Sequence, residues 1–402
     1  MLDNRFVKKF PSCSNATWQE EVTMEIIGYV GLDVHKDTYS ACFSYFDGQE
    51  VRFALDAKLD ASTEKVIQFI ENGRKLLEQG GIVFSKIICG YEAGCLGYSL
   101  QKDLSAKGYE CMILAPTTIV KSTDRMKRKN DYLDARNIGQ NMCLGLCKYI
   151  HILSNHEREA RDYLRLYAHT KRQLKREKQY LLSSLLKLGK KYPEGKYWTE
   201  AHFQWMRKLE LSGMDRLIVD SLISTIKNIM ETLENMRKSI EEMALDPEFH
   251  EKVDCLCCIK GISTLTAMTI ITEVGDMNRF AKADQFSAYL GLTPGMLSSA
   301  DKCVGLGITK QGNARIRTLL VEAIQSYSRT KSGSSFYKSK RLKLKQAGQQ
   351  KKIVDYADKA SRRITKRRYD LNAAGLDDNK AVTACARELA GFVWGMMTGH
   401  MN

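Results

Sequence analysis

Short apolar runs set the pattern of the first third of the chain. Ile26-Ile27-Gly28-Tyr29-Val30-Gly31-Leu32 reads as a buried strand, and Ile87-Ile88-Cys89 as a second. Between Ile26 and Ile150 such runs alternate with helical stretches. Strands are predicted over 26–33, 38–46, 50–55, 83–89 and 109–114, with helices over 62–78 and 96–107. Pro116 marks the next loop, and a further helix starts near Asp131. Strands joined by helices in this way argue for a mixed α/β sheet over 26–150. The middle third changes period. Leu222, Ile226, Ile229, Leu233, Met236, Ile240 and Met243 step by four and three, a heptad seam, and Tyr167, Leu174, Leu181 and Leu188 repeat every seven. Pro193 and Gly195 separate the two runs, so an antiparallel helical hairpin or coiled coil is expected over 155–247.

After Pro247 a third, mainly α unit is expected over 251–345. Within it, Cys258–Glu273 has the form of a helix-hairpin-helix: a turn containing Gly261 and then a helix of small and apolar residues. Such turns present backbone N–H groups to phosphates. Residues 346–402 read as a basic connector and a closing helix, Ala381 to Met397. Residues 1–25 have little pattern and read as a leader, with Met1 and Met24 both candidate starts.

Charge sharpens this picture. The 402-residue chain carries 62 Lys and Arg against 47 Asp and Glu, a formal net charge of +15, so its summed field attracts polyanions. An apolar content of 44% is ample for a packed core. No run of eighteen apolar residues and no signal-peptide core is present, which argues against membrane spanning and secretion. The 12 cysteines show no zinc-ligand spacing and read as reduced cytosolic thiols, so no structural zinc is expected.

Four acids carry the candidate chemistry: Asp33 and Glu92, each closing an apolar run, and Asp131 with Asp134 in KNDYLDARNIG. A spacing of three puts Asp131 and Asp134 on one helix face. Carboxylates gathered in one place repel unless a cation neutralises them, and their hard oxygens suit Mg²⁺ or Mn²⁺. Two such ions about 4 Å apart can clamp the attacking and leaving oxygens of a phosphodiester. Each acid alone has a plainer reading, as a strand-end, turn or helix-cap residue. Their order along the chain, strand-Asp, strand-Glu and helix Asp-x-x-Asp, favours the site.

A second block lies between Tyr289 and Arg317. A Pro/Gly/Ser loop holding Ser298 and Ser299 leads into a turn and a basic helix start with Lys302, Lys310, Arg315 and Arg317. A serine beside such cations can attack a phosphodiester while they offset the developing charge. From spacing alone, a polar hairpin whose serines cap turns is the simpler account. Lys127, Arg128 and Lys129, before the third and fourth acids, add a basic stretch suited to nucleic acid.

Four segments resemble one family. G-L-D-V-H-K at Gly31–Lys36, Y-E-A-G at Tyr91–Gly94, N-D-x-x-D-A at Asn130–Ala135, and G-L-T-P…S-S…G-I-T-K-Q-G-N at Gly291–Asn313 are similar to the motifs of the DEDD insertion-sequence transposases. That family includes bridge-RNA-guided recombinases and the Piv-type DNA invertases. The resemblance implies an N-terminal RuvC-like domain of RNase H fold, its tetrad carried by Asp33, Glu92, Asp131 and Asp134. It implies a C-terminal serine transposase domain whose nucleophile maps onto Ser299, with Ser298 second. Ala300 stands where the family's serine is followed by glycine, which leaves the choice between the two serines open. The resemblance further implies Mg²⁺ or Mn²⁺ as cofactor, donor and target DNA as substrates, and a structured noncoding guide RNA. With the heptad seam, it implies a homodimer or tetramer formed through the coiled coil, with acids and serine of one composite site drawn from different subunits. A cytoplasmic, nucleoid-associated prokaryotic protein is expected. Two rivals stand beside this reading: a RuvC-like metal-dependent DNA endonuclease without a serine intermediate, and a non-catalytic nucleic-acid scaffold. No Walker-type phosphate loop is present, in keeping with exchange that needs no ATP.

Overall fold

A computed structural model describes residues 26–94, 96–120, 131–299, 302–329 and 336–401. The chain divides into two compact units between Ile152 and Leu153. In the first, β1 (Ile26–Val34), β2 (Thr38–Phe46), β3 (Val51–Asp60), β4 (Phe84–Glu92) and β5 (Glu110–Leu114) form one sheet in the order β3-β2-β1-β4-β5. The β1–β2 and β2–β3 pairs are antiparallel, and β1–β4 and β4–β5 are parallel. This topology is compatible with an RNase H-like DEDD domain.

The sheet is covered on both faces, which is why β1 and β4 read as near-continuous apolar runs. On one face Val30, Leu32, Cys89 and Tyr91 pack with Val66 and Ile70 of α1 (Thr63–Gln79) and Leu104 of α2 (Ser99–Ala106). On the other, Ile27, Tyr29 and Ile88 meet Ile138 and Met142 of α3 (Asp131–Cys143). Two boundaries differ from expectation. β3 runs to Asp60, because the alternating polar residues of an edge strand hide its length in a search for apolar runs. α2 starts at Ser99, after Gly97 turns the chain at φ +65°.

In the second unit α4 (Asn155–Lys187) and α6 (Gly213–Met243) pack antiparallel. Leu181 and Leu185 share a cluster with Val219, Ile223 and Ile226, while Ala160 and Leu164 share one with Ile240 and Ala244. Ser154 starts α4 with a capping box closed by Glu157. The buried stripe of α6 takes Val219 and Ile223 and leaves Leu222 and Ile229 half-buried. The cause is α5 (Glu200–Lys208), whose Phe203 and Met206 pack against that end.

The bottom of this hairpin belongs to a larger core. It joins α7 (His250–Cys257), α8 (Thr264–Val274) and α9 (Ala283–Tyr289) to α10 (Ala314–Gln325), α11 (Lys340–Gln346), α12 (Lys351–Ala373) and α13 (Asp378–Met397). The stretch expected as a basic connector is instead a helix. Ile353, Ala357, Ala360 and Ile364 of α12 are buried at helical spacing, and Arg362, Arg363, Lys366 and Arg367 lie on its exposed face. Among the described residues, no helix is long and apolar enough to cross a membrane.

Candidate functional site

Register brings the first two acids together. Gly31 of β1 pairs with Gly90 of β4 and Leu32 with Tyr91, so Asp33 and Glu92 stand side by side one step further along. Adjacent strands lie about 5 Å apart and successive residues alternate faces, so both acids fall on the face of Gly31 and Gly90. That is the face covered by α3. A Cβ at Gly31 would strike the carbonyl oxygen of Ala135 and the amide of Gly139, and one at Gly90 would strike Met142. The two glycines let the helix backbone lie directly on the sheet.

The same contact fixes the height of α3. Ala135 lies over Gly31, Gly139 lies over Ser44, which pairs with Tyr29, and Asp134 and Asp131 precede Ala135. At 1.5 Å per helical residue, Asp131 lies about 6 Å beyond Ala135, level with Asp33 and Glu92. Arg136 anchors this end through an ion pair with Asp56 of β3. Asn141 holds the chain before α3, bonding both the amide (2.9 Å) and the carbonyl (3.1 Å) of Val120.

Asp33 is partly exposed and accepts a 3.1 Å contact from Nε2 of His35. His35 was quoted in the sequence motif but given no role; its spacing of two from Asp33 along an extended chain was the available signal. The described acids are not drawn into a tight knot. Among the described residues, one trio has all its ligand atoms within 4.8 Å, and it is His156, Asp246 and Glu248 at the bottom of the helical hairpin. There the hydrogen bond to the Glu248 carboxylate (2.8 Å) raises the His156 pKa against the opposing effect of desolvation, and the imidazole bridges the two carboxylates. Lys127, Arg128 and Lys129 lie outside the described residues, as do the side chains of Asp131, Ser298, Ser299 and Lys302.

The serine block is a ribbon rather than the loop expected. β6 (Pro294–Ser299) pairs antiparallel with β7 (Lys302–Ile308), and Ser299 opposite Lys302 is the last pair before the turn. The bottom of the ribbon is locked. Gly291 at φ +65° and Gly312 at φ +110° approach the backbones of Gln311 and Tyr289 so closely that a side chain on either would collide. Lys310 N–H donates to Gly291 O (3.1 Å) and Asn313 N–H to Tyr289 O (2.9 Å). Asn313 caps α10 through the amides of Arg315 and Ile316 and donates from Nδ2 to Glu273 (3.1 Å).

Glu273 is the buried hub. Arg165 holds it bidentately at 2.8 and 2.9 Å, and Arg315 lies at 3.5 Å. Burial alone would raise its pKa; Arg165, Asn313 and Arg315 together overcome that and bring it below the ordinary glutamate value. Arg317 donates to Leu290 O at 2.7 Å. Arg315 and Arg317 are thus engaged in closing the ribbon's bottom, whereas Lys310 is exposed. The Cys258–Glu273 segment follows the end of α7 and is a turn with Gly261 at φ +87° leading into the buried α8; a Cβ at Gly261 would strike Ala323 O.

Two family models match in order. A transposase model of the DEDD type covers residues 30–189, and one described as "Transposase IS116/IS110/IS902 family" covers 253–338. "Putative transposase y4qE" of Sinorhizobium fredii (strain NBRC 101917 / NGR234) is 30% identical over 369 residues, 91% of this chain and 87% of that protein. The chain belongs to the IS116/IS110/IS902 family of transposases. "Transposase for insertion sequence element IS1533" of Leptospira borgpetersenii is 28% identical over 348 residues, 84% of this chain and 95% of its own length. "Transposase for insertion sequence element IS1111A" of Coxiella burnetii is 31% identical over 144 residues, 35% and 39% of the two chains. As an insertion-sequence transposase the protein is an enzyme that acts on DNA, and its DEDD family implies dependence on a divalent metal. The donor set fits: Asp33, Glu92 and Asp134 offer only hard carboxylate oxygens, at one end of one sheet face.

Proposed function

We propose that this transposase joins donor and target DNA through a covalent phosphoserine intermediate, guided by a structured noncoding RNA. The observation that carries the reading is the register of Asp33 with Glu92 beneath the start of α3. Asp33, Glu92, Asp131 and Asp134 would hold Mg²⁺ or Mn²⁺. When bound, such an ion withdraws charge from the scissile phosphate and from an oxygen it coordinates.

The rest of the chemistry belongs to the chain. Oγ of Ser299 bonds to phosphorus, the bond from phosphorus to a deoxyribose oxygen breaks, and that oxygen leaves as a hydroxyl carrying the serine proton. A hydroxyl of the partner strand then attacks the phosphoserine, restoring Ser299 and a phosphodiester without ATP. By strand alternation positions 298 and 299 fall on opposite faces of the ribbon, so one of them alone faces a given strand. Lys302 and Lys310 offset phosphate charge, and the turn at Gly261 supplies a helix-hairpin-helix contact to the DNA backbone. Homodimers or tetramers would assemble through surfaces other than the α4–α6 seam, which is filled within one chain. The reaction would take place in a prokaryotic cytoplasm, at the nucleoid.

A second reading, a RuvC-like endonuclease acting by its acids alone, rests on the same register of Asp33 with Glu92 and needs no serine. A denaturing gel separates the two. Protein, flanking noncoding RNA and labelled DNA ends are incubated with Mg²⁺. A DNA-linked protein band lost in Ser299→Ala and in Asp33→Ala is expected. Loss in Ser298→Ala instead moves the nucleophile by one residue, and free cleaved DNA without an adduct supports the endonuclease.

A further inference from the structure

A groove of about 1040 Å³ runs between α9, the bottom of the β6–β7 ribbon, α12 and α13. Its floor is apolar: Leu292, Pro294, Leu306, Ile308 and Phe392. Its rim is basic, with Lys310, Arg363, Arg367, Lys380 and Arg387 against the two carboxylates Asp284 and Glu388. Glu388 is taken by Arg363 (2.5 Å) and Asp284 by Arg387 (3.4 Å). Lys310, Arg367 and Lys380 have no carboxylate partner among the described residues. The groove is therefore a concavity of net positive charge over an apolar bottom.

We propose that this groove holds an unpaired strand of DNA beside the serine ribbon. The rim fits a run of phosphates, since three uncompensated cations spaced around one cleft attract a polyanion rather than a single ion. The floor fits exposed base and sugar faces. A duplex keeps its base faces stacked inside, so an apolar floor would gain no stacking contact from it. DNA rather than RNA follows from position. Pro294 of β6, the strand that carries Ser298 and Ser299, and Leu306 and Ile308 of its partner β7 line the groove. The strand cut at that ribbon must leave its partner there. Lys310 enters the rim in a left-handed conformation, φ +56°, with its backbone N–H donating to Gly291 O. The assignment of DNA rests on the reading of the ribbon as the nucleophile's carrier; the fit of an unpaired strand does not.

The test uses the full chain in EDTA, so that binding is read without chemistry. Fluorescence anisotropy follows a labelled twelve-residue oligo-dT, an oligo-rU of equal length, and a hairpin duplex. The double variant Arg367→Glu/Lys380→Glu is compared with Lys171→Glu/Lys175→Glu, an equal change on the exposed face of α4. Oligo-dT affinity is expected to fall about tenfold or more in the groove variant, and the slope of log K on log salt to flatten by about 1.4, or 0.7 for each lost contact on a single strand. The α4 variant and the duplex should each change by less than about threefold. Equal losses in the two variants would reduce the groove to the general field of a basic protein, and an equal loss for duplex would remove the unpaired strand. Tighter oligo-rU binding lost in the same variant would reassign the groove to RNA. Melting curves check folding, and Arg367→Gln/Lys380→Gln should show the same effect at smaller size. The serine reading is tested separately by the adduct gel, so either idea can fail alone.

Discussion

At Gly31 and Gly90 an added methyl group would drive into α3, whereas at Gly307, on the serine ribbon, it would meet nothing within 4 Å. The acidic end of the first unit is set by close packing on a sheet covered on both faces. Its carboxylates repel one another, and backbone contact between α3 and β1 keeps them level. The ribbon of the second unit is tied down at its bottom, by Gly291, Gly312, Asn313 and Glu273, and among the described residues its strands pair only with each other. On the proposed mechanism the difference suits two tasks. Groups that would share a metal need fixed mutual positions, while a nucleophile that would travel with a DNA strand needs a firm root and a free reach.

The largest effects break both regions at once and separate them by what else changes. Asp33→Asn and Ser299→Ala should each lower strand joining by about a thousandfold or more in a gel assay with Mg²⁺. Their stabilities should then diverge. Asp33→Asn removes one of several like charges and should hold or raise the melting temperature, and Ser299→Ala should leave it unchanged. The next effect is structural. Gly31→Ala should destabilise the first unit by about 3 kcal/mol or more, because the collision is with helix backbone that cannot rotate away. Gly307→Ala should stay within about 0.5 kcal/mol by urea unfolding. If the two glycine variants cost the same, the contrast between packed edge and open ribbon is wrong.

Much of the first unit was legible in the sequence, for a physical reason. Strands buried on both faces are continuous apolar runs, and Asp131 with Asp134 shows its helix spacing directly. The register of Asp33 with Glu92 was not legible, since pairing between strands far apart in sequence leaves no local mark. Nor was the role of Gly31, Gly90 and Gly139, which a propensity scale counts only as weak strand or helix formers. The ribbon was read as a loop because Pro294, Gly295, Ser298 and Ser299 are turn residues by composition, and only the pairing with Lys302–Ile308 makes them a strand. In α12 the basic residues dominate the eye, yet the apolar spacing beneath them decides the structure. Nothing in the sequence announces that Arg315 and Arg317, read there as phosphate contacts, also have partners within the chain: the buried Glu273 for Arg315 and Leu290 O for Arg317.

Loosening the root of the ribbon should come third in size. Glu273→Gln keeps the shape but removes the charge that Arg165 and Arg315 share, and should cost about 2 kcal/mol. In the parent, the folded pKa of Glu273 lies below its ordinary value. Its contribution is therefore present above about pH 4.5 and is lost as pH falls through the folded value. The variant should be flatter over that acid range, with strand joining reduced because the ribbon no longer holds one direction.

The smallest effect lies at the bottom of the helical hairpin and runs with the opposite sign. His156 bridges Glu248 and Asp246, and its folded pKa is raised above 6.5 chiefly by the Glu248 hydrogen bond. A raised value means the bridge stabilises the fold fully below pH 6.5 and is lost as pH climbs through the folded pKa. The imidazole is 43% exposed, so water and salt screen the pair, and the whole effect should stay under about 0.5 kcal/mol. A urea midpoint measured from pH 6 to pH 8.5 should fall slightly in the parent and less in His156→Ala, and 0.5 M salt should shrink the difference. A variant that titrates as steeply as the parent would show that the trio is a surface arrangement with no hold on α4 and α6. The contrast would then narrow to the ribbon's root alone, where Glu273 is enclosed and screening is weak.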